Sequence, residues 1–134
     1  MNCYLYINEK NISGNHSSAI EEFIKRLSPY CKVVLMTNRK RFNPDTVNKS
    51  DHAVFIIKKG RSTCSSTELS KQINTMQING ISNLHVLVGY EDTIENATPF
   101  CISAADLSNK TTALLFLEQL YRAYTIIHGK TYHK

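Results

Sequence analysis

Short apolar runs rich in β-branched residues recur along this chain at Cys3–Ile7, Lys32–Met36, Ala53–Ile57 and Leu84–Val88. Such runs read as strands, and strands that stay apolar without strict alternation are strands covered on both faces. Segments of helical period stand between several of them. Strands alternating with helices in this way predict an α/β domain built on a small, mostly parallel sheet. A fifth, very short strand is expected at Phe100–Ser103.

The helices follow from caps and breakers. Ser17 or Ser18 can cap a helix whose apolar positions are Ala19, Ile20, Phe23, Ile24 and Leu27, and Pro29 ends it. Ser65 or Ser66 can cap a second helix from about Thr67 to Met76, closed by Gly80. The last helix runs from about Asn109 to His128. Its residues Leu114, Leu117, Tyr121 and Tyr124 form a stripe that suits either a helix partner or the core against the sheet. Thr37–Asp51 is polar and basic, holds Pro44, and reads as a loop.

Composition narrows the function classes. A chain of 134 residues fits one domain, here 1–134. No apolar run approaches the roughly twenty residues of a bilayer crossing, and Met1–Asn8 is too short and polar for a secretory signal. A cytoplasmic protein with no membrane association is expected. Cys3, Cys31, Cys64 and Cys101 are far apart and form no C-x-x-C pair, so no redox motif or zinc ribbon is read. His16, His52, His85 and His128 lack ligand spacing, and no metal site is expected. The net charge of +5 suits a polyanionic partner. Arg39-Lys40-Arg41 and Lys58-Lys59 with Arg61 are the local candidates, each equally readable as a solvated loop.

In parallel sheets ligands bind outside the carboxyl ends of the strands. The loops after Ile57, Gly89 and Ile102 are therefore the places to look. Asp106 has two readings, a helix N-cap or a carboxylate placed near a cationic ligand, and the cap is preferred. Arg122 stands one turn after Glu118 and can pair with it along the helix.

The closing segment Leu117-Glu118-Gln119-Leu120-Tyr121-Arg122-Ala123-Tyr124-Thr125-Ile126-Ile127-His128-Gly129-Lys130-Thr131-Tyr132-His133-Lys134 resembles the C-terminus of the RlmH-type SPOUT methyltransferases. These enzymes methylate a pseudouridine of large-subunit ribosomal RNA. Ala19–Ser28 followed by Lys32-Val33 is similar to the first helix and second strand of the same family. The resemblance implies a C-terminal trefoil knot and a homodimer built on the first and last helices. It also implies S-adenosyl-L-methionine as cofactor and ribosomal RNA or the ribosome as partner. Carried onto this chain, the cofactor is expected at Ile56, Gly89, Ile102, Ser103, Ala104, Ala105, Asp106 and Leu107. The catalytic end is expected at His133, Arg122 and Tyr132, on a tail that in the family reaches the partner subunit's site.

Several positions depart from the family pattern. Its glycine pair reads Gly89-Tyr90 here, and a tyrosine is expected to crowd the cofactor. The knot loop Ile102–Asn109 lacks the family's threonine, proline and histidine, and Ala113 stands where an arginine is usual. The 37–51 region is too short to hold the extra helix that the family usually places there. Two functions stay open on these residues: an active ribosomal RNA methyltransferase, or a catalytically impaired knotted dimer that binds RNA or protein.

Overall fold

In the computed structural model, residues 1–10, 12, 14–37, 49–91 and 94–129 are described. The Arg39–Arg41 cluster and the tail residues Tyr132 and His133 lie outside them. The elements run β1 (Asn2–Ile7), α1 (Gly14–Leu27), β2 (Lys32–Thr37), β3 (His52–Lys58), α2 (Ser66–Ile78), β4 (Asn83–Val88), β5 (Thr98–Cys101) and α3 (Asn109–Ile127). The strands form one five-stranded sheet in the order β2-β1-β4-β3-β5. Every pairing is parallel, so the mostly parallel sheet expected from sequence is wholly parallel among the described strands.

Register sorts the strand residues into two faces. Cys3 lies opposite both Val33 and Leu84, and Leu5 and Phe55 both lie opposite Val86. These residues share one buried cluster with Ile20 of α1, Leu69 and Ile73 of α2, and Phe116, Leu117, Leu120 and Tyr124 of α3. All three helices therefore cover the same face. α3 packs against both α1 and α2 and over β1 and β4. Within the chain, all four residues of the stripe belong to the core or pack against it. Leu117 and Tyr124 enter the core, while Tyr121 meets Phe23 of α1 edge-on with ring centroids 6.4 Å apart.

The opposite face carries Val54, Ile56 and Leu87, buried beneath Tyr90 and Ile94 of the segment that joins β4 to β5. The handedness of parallel connections explains this division. β1→β2 and β3→β4 step in one direction along the sheet and cross on the helical face. β4→β5 steps the other way across β3, so the same right-handed sense sends it over the opposite face. Neighbouring connections thus leave the carboxyl ends of β3 and β4 toward opposite sides, the arrangement that opens a crevice in such sheets.

Two boundaries and one cap differ from those read in the sequence. β5 starts at Thr98, ahead of Phe100, because the edge position tolerates Pro99. α1 begins at Gly14, so Ser17 and Ser18 are helical and cap nothing. α3 is capped by Ser108, whose hydroxyl accepts from the Thr111 N–H at 3.2 Å, and not by Asp106. For α2 the choice falls on Ser65, which forms a reciprocal capping box with Glu68.

Two histidines that their spacing leaves unconnected meet on the second face. His85 stacks against Tyr4, and its Nε2 lies 2.7 Å from Nδ1 of His52. The Tyr6 hydroxyl is 2.9 Å from His85 Nδ1, and His52 Nε2 is 3.5 Å from Asp51 Oδ1. With both rings neutral, Tyr6 donates to His85, His85 to His52, and His52 to Asp51. Burial, and then the neighbouring His52, push His85 from 6.5 down to about 4. Between those values the unfolded chain holds a proton that the folded one does not, so stability rises with pH. This contribution is complete above 6.5 and is lost as pH falls toward 4. Urea midpoints measured across that window are expected to drop on the acid side. His85→Phe, which keeps the stack, is expected to flatten the dependence.

Candidate active site

Three segments meet at the carboxyl ends of β3 and β4. Gly89 follows β4 with φ of +84°, a conformation that glycine adopts without strain. Its carbonyl accepts from Asn8 Nδ2 at 2.9 Å, just beyond the end of β1. The first residue of α3 closes the knot of contacts: Asn109 Nδ2 donates to the Asn8 carbonyl at 3.4 Å. A side chain at Gly89 would run into Asn109, whose Nδ2 lies 2.5 Å from where a Cβ would stand. Close approach of β4's end to the N-terminus of α3 thus depends on this glycine.

Beside this junction lies a cleft of about 340 Å³. One wall is Ile57, Lys58 and Lys59 from the end of β3, and another is Gly89, Tyr90 and Glu91. The third is the segment after β5, with Ser103, Ala105, Asp106 and Leu107, continued by Asn109 and Thr112 of α3. Hydrogen bonds hold the walls together. The Gly60 N–H donates to the Ser103 carbonyl at 3.2 Å, and within the third wall the Ala105 N–H donates to Ser103 Oγ at 2.9 Å.

The residues expected to hold the cofactor divide as follows. Gly89, Ser103, Ala105, Asp106 and Leu107 line the cleft. Ile56 does not: strand alternation turns its side chain to the second face, and Ile57 takes the place at the wall. Ile102 lines a neighbouring groove of about 270 Å³, which shares Ser103 with the cleft, and the exposed Ala104 lines neither. Arg122 is in that groove as well, with its Nη2 2.7 Å from Glu118 Oε1, so the ion pair read from the helix spacing is made. It does not line the cleft.

Two departures from the family pattern look different in three dimensions. Tyr90 lines the cleft, but its side chain is anchored among Val54, Ile56, Leu87 and Ile94 and is 6% exposed. The ring is thus held in the second-face cluster, while the residue still forms part of the cleft lining. Ala113 is fully buried in the helical core, where a small residue lets α3 lie close to the sheet. Ile57, Lys58, Lys59, Glu91, Asn109 and Thr112 are cleft residues absent from the sequence-derived set. The loop after Ile57 was the signal for the lysines. Nothing in the sequence alone separates Glu91 or Thr112 from other polar surface residues.

A family model described as predicted SPOUT methyltransferase matches residues 1–133. This chain belongs to the SPOUT methyltransferase family. It is 31% identical to the ribosomal RNA large subunit methyltransferase H 1 of Thermoanaerobacter sp. (strain X514), over all of both chains. It is 29% identical to a ribosomal RNA large subunit methyltransferase H of Clostridium botulinum (strain Eklund 17B / Type B), covering 87% of this chain and 89% of the relative. A third relative of the same name, from Acetivibrio thermocellus, is 29% identical over 86% of this chain and 88% of its own. Use of S-adenosylmethionine follows from membership in the SPOUT family. Among the described residues, no helix is long and apolar enough to cross a membrane.

Proposed function

We propose that this SPOUT protein transfers a methyl group from S-adenosylmethionine to a pseudouridine of large-subunit ribosomal RNA, as a cytoplasmic homodimer with a trefoil knot at its C-terminal end. The observation that carries the reading is the cleft at the ends of β3 and β4, walled by Gly89 and the Ser103–Leu107 segment. Its volume lies within the range of small-molecule sites, about 300–1,000 Å³. Its chemistry fits the cofactor: Asp106 and Glu91 supply carboxylates for a ligand with cationic sulfonium and amino groups. The tight turn at Gly89 offers main-chain groups at close range.

The cofactor, once bound, supplies a methyl group on an electrophilic sulfonium. The chain supplies placement. Backbone at Gly89 and Ser103–Leu107 would hold the cofactor, while Asp106 and Glu91 would complement its charge. In-line attack requires the acceptor nitrogen to be fixed against the methyl, and such positioning accounts for much of the barrier reduction in two-substrate reactions. The nitrogen must also lose a proton, and His133 on the tail is the base, with Tyr132 beside it and Arg122 orienting the tail. The tail acts at the cleft of the second subunit.

The binding-only reading rests on Tyr90, Asn109 and Ala113 and on the short 37–51 region. Tyr90 is anchored on the second face and Ala113 is buried in the core, which gives each a packing role beside the one weighed for it. Calorimetric titration of the unaltered protein with S-adenosylmethionine is expected to give saturable binding at one site per chain. Absence of binding would overturn the methyltransferase reading and leave the binding-only relative.

A further inference from the structure

The cleft is electrically divided. Lys58 and Lys59 form the β3 wall, whereas Glu91 and Asp106 stand on the other two. Both lysines are exposed, and among the described residues neither makes an ion pair. Arg61, also exposed, continues the basic strip away from the cleft.

The loop that carries these cations is fastened at several points. The Cys101 thiol donates to the Gly60 carbonyl at 3.0 Å, and the Cys64 N–H donates to the Cys101 carbonyl at 2.8 Å. With the Gly60 N–H on the Ser103 carbonyl, the basic loop and the Ser103 wall are tied into one platform. Gly60 belongs to that fastening, since a Cβ there would stand 3.2 Å from Cys101 Sγ. Flexible lysine heads rise from a fixed backbone, which suits phosphates strung along a strand.

We infer that Lys58 and Lys59 are positioning residues for RNA: they take backbone phosphates flanking the nucleotide that enters the cleft, and Arg61 extends the track. The inference rests on the reading that an RNA base is methylated here, and it makes the substrate a polynucleotide in preference to a free nucleoside. The carboxylate walls would repel phosphate, which favours the β3 side of the cleft for the strand.

The test uses the full-length protein with Lys58→Gln and Lys59→Gln combined, and Lys71→Gln, on an exposed face of α2, as control. A short fluorescein-labelled oligoribonucleotide is titrated at several salt concentrations, and S-adenosylmethionine is titrated separately. The double variant is expected to bind RNA about tenfold more weakly at low salt. The slope of log affinity against log salt should shrink by about one for each lysine removed. Lys71→Gln should leave both unchanged, and methylation of ribosomes by the double variant should show a raised KM with kcat little altered. An unchanged salt slope would overturn the inference. So would lost S-adenosylmethionine affinity with RNA binding intact, which would assign the lysines to the cofactor's carboxylate. If the unaltered protein binds RNA through these lysines but takes up no cofactor, the phosphate contact alone survives, and the methyltransferase reading falls together with the positioning role that rests on it.

Discussion

Gly89→Val is expected to abolish cofactor binding and to lower stability by roughly 2–6 kcal/mol, the sum of a left-handed backbone forced on a β-branched residue and an overpacked contact. The cause is local and double. At φ of +84° valine is strained, and its Cβ would stand 2.5 Å from Asn109 Nδ2. Asn109 cannot turn aside without losing its bond to the Asn8 carbonyl. Urea denaturation reads the stability loss and calorimetry the binding. Pairing the change with Asn109→Ala separates the two causes, because the second substitution relieves the clash while the backbone strain persists. Equal losses in the single and double variants would assign the whole effect to the backbone.

His133→Ala is expected to lower the methylation rate by about a hundredfold or more, the range typical of a lost general base. Affinity for S-adenosylmethionine should stay within about twofold, since the cleft that receives it is built from β3, β4 and the segment before α3. The division between rate and affinity is the informative part. A fall in cofactor affinity with the rate of bound enzyme unchanged would move His133 from proton transfer to cofactor binding. The residue lies outside the described part of the chain, and the expectation rests on the Tyr132-His133-Lys134 tail. Mixing the variant with a Gly89→Val chain adds a check on the shared site. If the tail acts across the dimer, each mixed dimer holds one intact site and one doubly defective site and is expected to show about half the activity of the unaltered dimer, whereas a tail acting on its own cleft leaves no intact site and no activity.

The sheet was legible because its physics is local. The run Leu84–Val88 is buried on both faces as the interior strand β4, whereas Lys32–Met36, read the same way, is β2 at the sheet edge, where only Val33 is buried. The second helix cap was legible for the same reason, since Ser65 and Glu68 sit at the spacing a capping box needs. Errors arose where a residue's role depends on what lies across the fold. Asp106 has the right chemistry for a cap, yet Ser108 stands at the end of α3 with the better geometry, and this frees Asp106 for the cleft. Ile56 and Ile57 are indistinguishable in composition, and only the register against β4 decides which faces the site. Tyr90 looked obstructive because its neighbour in sequence is Gly89. Its neighbours in space are Val54 and Leu87, brought there by a crossover no local pattern reveals. The His52–His85 contact was hidden in the same way, since the two residues meet only through the pairing of β3 and β4.

Transfer of the methyl group itself tests the central claim most directly. Purified protein, tritiated S-adenosylmethionine and ribosomes from cells lacking the corresponding methyltransferase would be incubated together. The large-subunit RNA would then be digested to nucleosides and resolved by mass. The account predicts label in a methylated pseudouridine, absent when Gly89→Val protein is used. Saturable cofactor binding with no label in any nucleoside of the large-subunit RNA would contradict it.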